Sequence, residues 1–208
     1  METHIKLSSS QSLTTAAQFT QMHNVPYLEA LGSLMYASLG THPDILFAIQ
    51  TLLHFSTKPG ILHWEAVKCV FCYLKGTIDL WLTFGQKQVD LTGYADADGS
   101  MAEDHCAVSG YAFIINSSTV SWSAKHQEII SLSTTEGEYI AVTHAFKEVL
   151  WLHSLIHQLF DVKHSPTTLY SNNQSAIALT KDHQYHACTK HINICYHFIC
   201  WIVEQGSI

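Results

Sequence analysis

The stretch TLYSNNQSAIAL (168–179) starts like a strand and ends like a helix, with two adjacent amides, Asn172 and Asn173, between the halves. A strand-to-helix turn is where an α/β protein presents functional side chains, at the carboxyl end of a strand. Just upstream, SLSTTEGEYIAVTHAFKEVLWLHSLIHQLF (131–160) carries an apolar stripe through Val142, Ala145, Phe146, Val149, Leu152 and Ile156. Ser133 followed by Glu136 has the spacing of a capping box, so one long helix starts there. Further upstream, VSGYAFIIN and STVSWSAK flank Asn116-Ser117 and read as an antiparallel hairpin, and DLTGYADADG reads as a strand that stops at Asp98-Gly99. Downstream, 188–206 reads as a last helix ending at Gly206. The order strand, strand, strand, long helix, strand, helix, helix predicts an α/β layer with a mixed sheet.

The chain before residue 80 has another character. PYLEALGSLMYASLG (26–40) has helical spacing through Leu28, Leu31, Leu34 and Met35. THPDILFAIQTLLHFS opens with Pro43, which suits a helix start. HWEAVKCVFCYLKG places Ala66, Val67, Val70, Phe71 and Leu74 on one stripe and stops at Gly76. LWLTFG (80–85) reads as a strand and QKQVD as a turn or linker. The expected division is a flexible lead-in at 1–25, a helical segment at 26–85 and an α/β domain at 86–208.

Composition narrows the function classes. Hydrophobic residues make up 47% of the 208, enough for a core, and charged residues only 13%. No apolar run reaches the roughly 18 residues of a membrane span. The start lacks the apolar core of a signal peptide, so an intracellular protein with reduced cysteines is expected. Net charge is −7, and all ten basic residues are lysine, which argues against a strong basic footprint for nucleic acid.

Several side-chain groups could carry chemistry. Asp96 and Asp98 share one side of an extended strand, and paired carboxylates at a strand end suit a hard cation such as Mg²⁺. The alternative is a plain turn at Asp98-Gly99. Glu136 is explained by helix capping, whereas Glu138 is free to reach a metal held by Asp96. His183, His186, Cys188, His191, Cys195 and His197 are rich in zinc-type ligands but match no common finger spacing. CVFC (69–72) lies inside an amphipathic helix with no strand before it, which argues against a thioredoxin-like role.

Three segments together resemble the end of the polymerase polyprotein of copia-type retrotransposons. PYLEALGSLMYASLGTHPDILFAIQ with HWEAVKCVFCYLKGT resembles the helical stretch after the reverse-transcriptase palm. GYADADG, SGYAFIINSSTVSWSAKHQEIISLSTTEGEY and YSNNQSAIALTKDHQYHACTKHINICYHF resemble its ribonuclease H domain. The resemblance covers 26–208. It implies a ribonuclease H-like mixed sheet with flanking helices and Mg²⁺-dependent hydrolysis of RNA in RNA:DNA hybrids. It also implies a metal site of four carboxylates: Asp96 takes the first-strand position, Glu138 the first-helix position and Asn172 the fourth-strand position.

Two departures from the family pattern bear on activity. Asn172 stands where the family has aspartate. The family's last strand and helix, with the fourth carboxylate, are expected beyond VEQGSI. The family also typically has arginine where this chain has Cys69, Cys72, Cys106, Cys188, Cys195 and Cys200. Arg to Cys and Asp to Asn are single transitions of the kind cytosine deamination leaves, a history that an absence of excess transitions against sister copies would refute. The resemblance therefore implies a retrotransposon-derived domain of little or no nuclease activity that binds hybrid weakly. The competing class is a non-catalytic interaction remnant.

Overall fold

The computed structural model describes residues 7–85, 90–98, 106–131, 133–161, 166–181, 193–204 and 206. The chain divides into two compact units, Met1–Leu82 and Thr83–Ile208. The sequence HQYHACTKH and the side chain of Cys195, candidates for zinc, lie outside the described residues, as do QKQV and Gly99.

Unit 1 is helical: α1 (Ala16–Met22), α2 (Tyr27–Gly40), α3 (Leu46–Leu53) and α4 (Ile61–Gly76), with 3₁₀ turns at Ser9–Gln11 and Pro43–Ile45. Its core joins Tyr27, Leu31 and Leu34 of α2, Ile49 and Leu52 of α3, and Ala66, Val67 and Val70 of α4. The Tyr27 hydroxyl donates to the Leu52 carbonyl at 2.9 Å. Burying this phenol with its partner pushes its pKa up to about 12. Leu28 (63% exposed) and Phe71 (41%) lie off the stripes expected to bury them. Both sit at the stripe's edge, where a 3.6-residue period leaves the burial of flanking positions open.

The expected flexible lead-in contains regular structure among its described residues. Thr15 accepts from the Gln18 N–H while the Gln18 side chain accepts from the Thr15 N–H, so α1 opens with a reciprocal capping box. LWLTFG (80–85) is not a strand. Its alternation matches a period of two, but no strand among the described residues pairs with it, and Leu80, Trp81 and Phe84 are exposed.

Unit 2 is mixed α/β. Its four-stranded sheet has the order β3-β2-β1-β4, with β1 at Leu91–Asp98, β2 at Val108–Ile115, β3 at Ser118–His126 and β4 at Thr168–Tyr170. β1 runs antiparallel to β2 and parallel to β4. The β2–β3 turn holds Asn116 (φ 53°) and Ser117 (φ 69°) left-handed, the backbone of a two-residue hairpin loop. One extra residue of β3, Val120, falls between the pairs Ile114↔Thr119 and Phe113↔Ser121 and bulges the strand.

α5 (Thr134–Phe160) begins where the Ser133 hydroxyl accepts from the Glu136 N–H at 3.2 Å, and it ends at Asp161 in a left-handed conformation (φ 51°). The residues Val142, Ala145, Phe146, Val149, Leu152 and Ile156 bury the whole predicted stripe against the sheet. Leu91, Ala95 and Phe113 meet it, and Gly93 is small because a Cβ there would run into the Phe113 ring. α6 (Gln174–Lys181) and α7 (Asn193–Glu204) complete the unit, with Ile199 and Ile202 of α7 fully buried. No helix among the described residues is long and apolar enough to cross a membrane.

Candidate functional site

Strand parity decides what β1 presents. Leu91, Gly93 and Ala95 point into the core, and Tyr94 and Asp96 take the opposite, exposed parity. The parallel pairing of β1 with β4 ends at Tyr94↔Tyr170, whose rings stack at 5.3 Å. Asp96 and Asn172 each lie two residues past that pair, so the carboxyl ends of both strands deliver them side by side. The Asn172 Nδ2 donates to the Asp96 Oδ1 at 3.3 Å, a long bond in an exposed position. The amide nitrogen must be the donor, because a carboxylate only accepts.

Asn173 has a separate task. Its Oδ1 accepts from the Ala176 N–H at 2.9 Å and starts α6. The two amides of the turn thus divide the work: the second caps a helix and the first faces Asp96.

Glu138 comes from the second turn of α5. It is 7% exposed, and its Oε2 is buried without a hydrogen-bond partner among the described residues. Burial pushes its pKa up to about 7, the negative charge of Asp96 adds to the rise, and the Ala97 backbone N–H opposes it. An acidic group held half-protonated near neutral pH beside a second carboxylate is an unsatisfied arrangement.

Sequence reasoning missed the residue that anchors this corner. Gln127 is buried (4% exposed), and its backbone N–H donates to the Ala107 carbonyl at 2.8 Å. Its Nε2 donates to the Ser109 hydroxyl and to the Gly137 carbonyl, each at 2.8 Å. One amide therefore ties β2 to the first turn of α5, immediately before Glu138. A lone Gln in KHQEII gives no periodic signal of such a role.

The other expected groups separate. Asp98 closes β1 opposite Val108. Glu136 is buried in the first turn of α5, where Ser133 caps its N–H. Cys69 and Cys72 are free, exposed thiols on α4. Among the described residues, no three His, Cys, Asp or Glu side chains group as a metal cage.

No protein-family model matches the chain. It is 41% identical over 206 residues to the retrovirus-related Pol polyprotein from transposon TNT 1-94 of Nicotiana tabacum, covering 99% of this chain and 15% of that polyprotein. It is 32% identical over 205 residues to the retrovirus-related Pol polyprotein from transposon RE2 of Arabidopsis thaliana, covering 97% of this chain and 14% of that one. The chain also spans 94% of secreted RxLR effector protein 161 of Plasmopara viticola, at 41% identity over 133 residues.

Proposed function

We propose that the chain is a segment of a retrovirus-related Pol polyprotein like the plant transposon relatives it matches, and that unit 2 is a ribonuclease H-like domain whose metal site is impaired. It spans about 15% of the Pol polyprotein it matches over 206 residues, so the activity of the whole is inferred for this segment. In the same reading, unit 1 derives from the helical end of reverse transcriptase. The observation that carries the proposal is the pairing of Asn172 with Asp96 beside Glu138.

The donor set suits one divalent cation better than two. Asp96 and Glu138 supply carboxylate oxygens, and the buried Oε2 of Glu138, unpartnered among the described residues, is of the kind Mg²⁺ selects. Asn172 is neutral and turns its nitrogen, not its oxygen, toward Asp96. Bound there, the ion would polarise a phosphate oxygen and acidify a water. The chain's own residues do the rest poorly. In the metal-free site burial and the Asp96 charge push the Glu138 pKa up to about 7, so a cation binding near neutral pH would have to displace a proton there. The lysine-only cation set and the net charge of −7 weaken backbone contacts to a hybrid.

Incubating the full chain with an RNA:DNA hybrid in Mg²⁺ tests this reading. The expected result is no cleavage above background. Robust cleavage by the chain as it stands overturns the impairment.

A second reading is a non-catalytic interaction protein. It is favoured by the near-complete coverage (94%) of a free-standing relative far shorter than a polyprotein. Mobility shift of the uncleaved hybrid separates the two, since a nucleic-acid remnant still retards it and a protein-binding one does not.

A further inference from the structure

The pair in CVFC has no part in the function proposed above. α4 carries it on the side away from the unit 1 core: His63, Ala66, Val67 and Val70 are buried, while Glu65, Cys69 and Cys72 follow one another along the exposed side at steps of four and three. Both thiols are free. Cβ atoms three residues apart on a helix are about 5–6 Å apart. A disulfide requires about 3.5–4.5 Å, so closing one would distort α4. A cation about 2.3 Å from each sulfur spans the wider gap with the helix intact.

We propose that Cys69 and Cys72 form a two-thiolate site for a soft d¹⁰ cation of the zinc and cadmium type. Each thiol gives up its proton as the sulfur takes the ion, so a divalent cation displaces two protons and the site becomes neutral. Thiolates select such ions over Mg²⁺, which separates this chemistry from that of Asp96 and Glu138. Glu65, one turn before Cys69, is held by Lys68 at 2.7 Å, and no third ligand-type side chain among the described residues joins the pair. Water fills the remaining positions, so the affinity is that of a chelating dithiol rather than a closed cage.

The test is Cd²⁺ titration of the reduced full chain, read by the ultraviolet sulfur-to-cadmium absorption, by proton release and by helical circular dichroism. Cys69→Ser, Cys72→Ser and the double variant are compared with the unaltered chain. Both sites are exposed, and equal thermal midpoints without metal establish that the variants fold. The expected result is one equivalent of Cd²⁺ that either single substitution weakens by about 100-fold through loss of chelation. The double variant lacks that equivalent, two protons are released per ion, and helicity is unchanged. Single variants that bind like the unaltered chain, or a double variant that keeps the equivalent, overturn the proposal. Neither outcome depends on hybrid cleavage.

Discussion

Both units bury titratable side chains, and two of these burials, of His63 in unit 1 and Glu138 in unit 2, have opposite consequences. In unit 1, His63 is fully buried, stacks on Phe55 with ring centroids 4.1 Å apart, and accepts from the Gly60 N–H through Nδ1 at 2.8 Å. Burial lowers its pKa, so it stays neutral where imidazole is mostly neutral already. In unit 2, burial drives Glu138 toward a protonated form that an ordinary carboxyl abandons well below neutral pH. The first is a structural residue held in its preferred state; the second is held away from it beside another carboxylate. Burial alone therefore does not mark a site. A conflict between burial and the charge state expected at neutral pH makes a candidate, here at the carboxyl ends of two parallel strands.

Removing His63 is the most disruptive way to probe the comparison. His63→Ala leaves a cavity beside Phe55 and strands the Gly60 N–H at the start of α4. A loss of about 2–4 kcal/mol is expected in urea denaturation. A loss below about 0.5 kcal/mol would mean that the ring is dispensable. Next comes Gln127→Ala, which leaves the Ser109 hydroxyl and the Gly137 carbonyl without their shared donor. It should cost about 1–3 kcal/mol. It should also shift the Glu138 carboxyl resonance, which a purely local defect would leave in place.

The pH dependence sharpens the contrast further. The pKa of Glu138 is raised on folding, so its contribution is fully present below about 4.5 and is lost as pH rises through about 7. His63 is lowered, so its contribution is present above 6.5 and is lost as pH falls. Glu138→Gln should abolish the downward slope between pH 4.5 and 7 and stabilise the chain at pH 7 by on the order of 1–3 kcal/mol. His144, also lowered by burial with Lys147 and Lys125 adding to it, contributes a slope of the His63 sign in both proteins and cancels in the difference. An unchanged slope in the variant would remove Glu138 from the account. The smallest effect is Ser133→Ala, which costs about 1 kcal/mol as the cap of α5 is lost.

What was legible in the sequence was local. Asn116-Ser117 announced the hairpin, Ser133 the start of α5, and the alternation of β1 put Asp96 and Asp98 on one side of a strand. Asn172 was readable as a residue of a strand-to-helix turn, and its place with Asp96 came from the family resemblance. The capping box at Thr15 and Gln18 was equally local, yet its polar setting read as a lead-in. What was not legible depends on partners distant in the chain. LWLTFG has strand period but no strand among the described residues to pair with. Gln127 acts through Ser109 and Gly137, which only the folded chain brings to it. The raised pKa of Glu138 likewise needs the depth of α5 against β1, which periodicity does not measure.

The central claim is that an amide at position 172 has weakened a carboxylate metal site. Mg²⁺ titration by calorimetry at one pH above 7, for the chain as it stands and for Asn172→Asp, tests it most directly. The account predicts at most one weakly bound ion for the former and an affinity about tenfold or more higher for the latter, because a neutral ligand becomes a charged one. Equal affinities, or two ions bound by the unaltered chain, would contradict it.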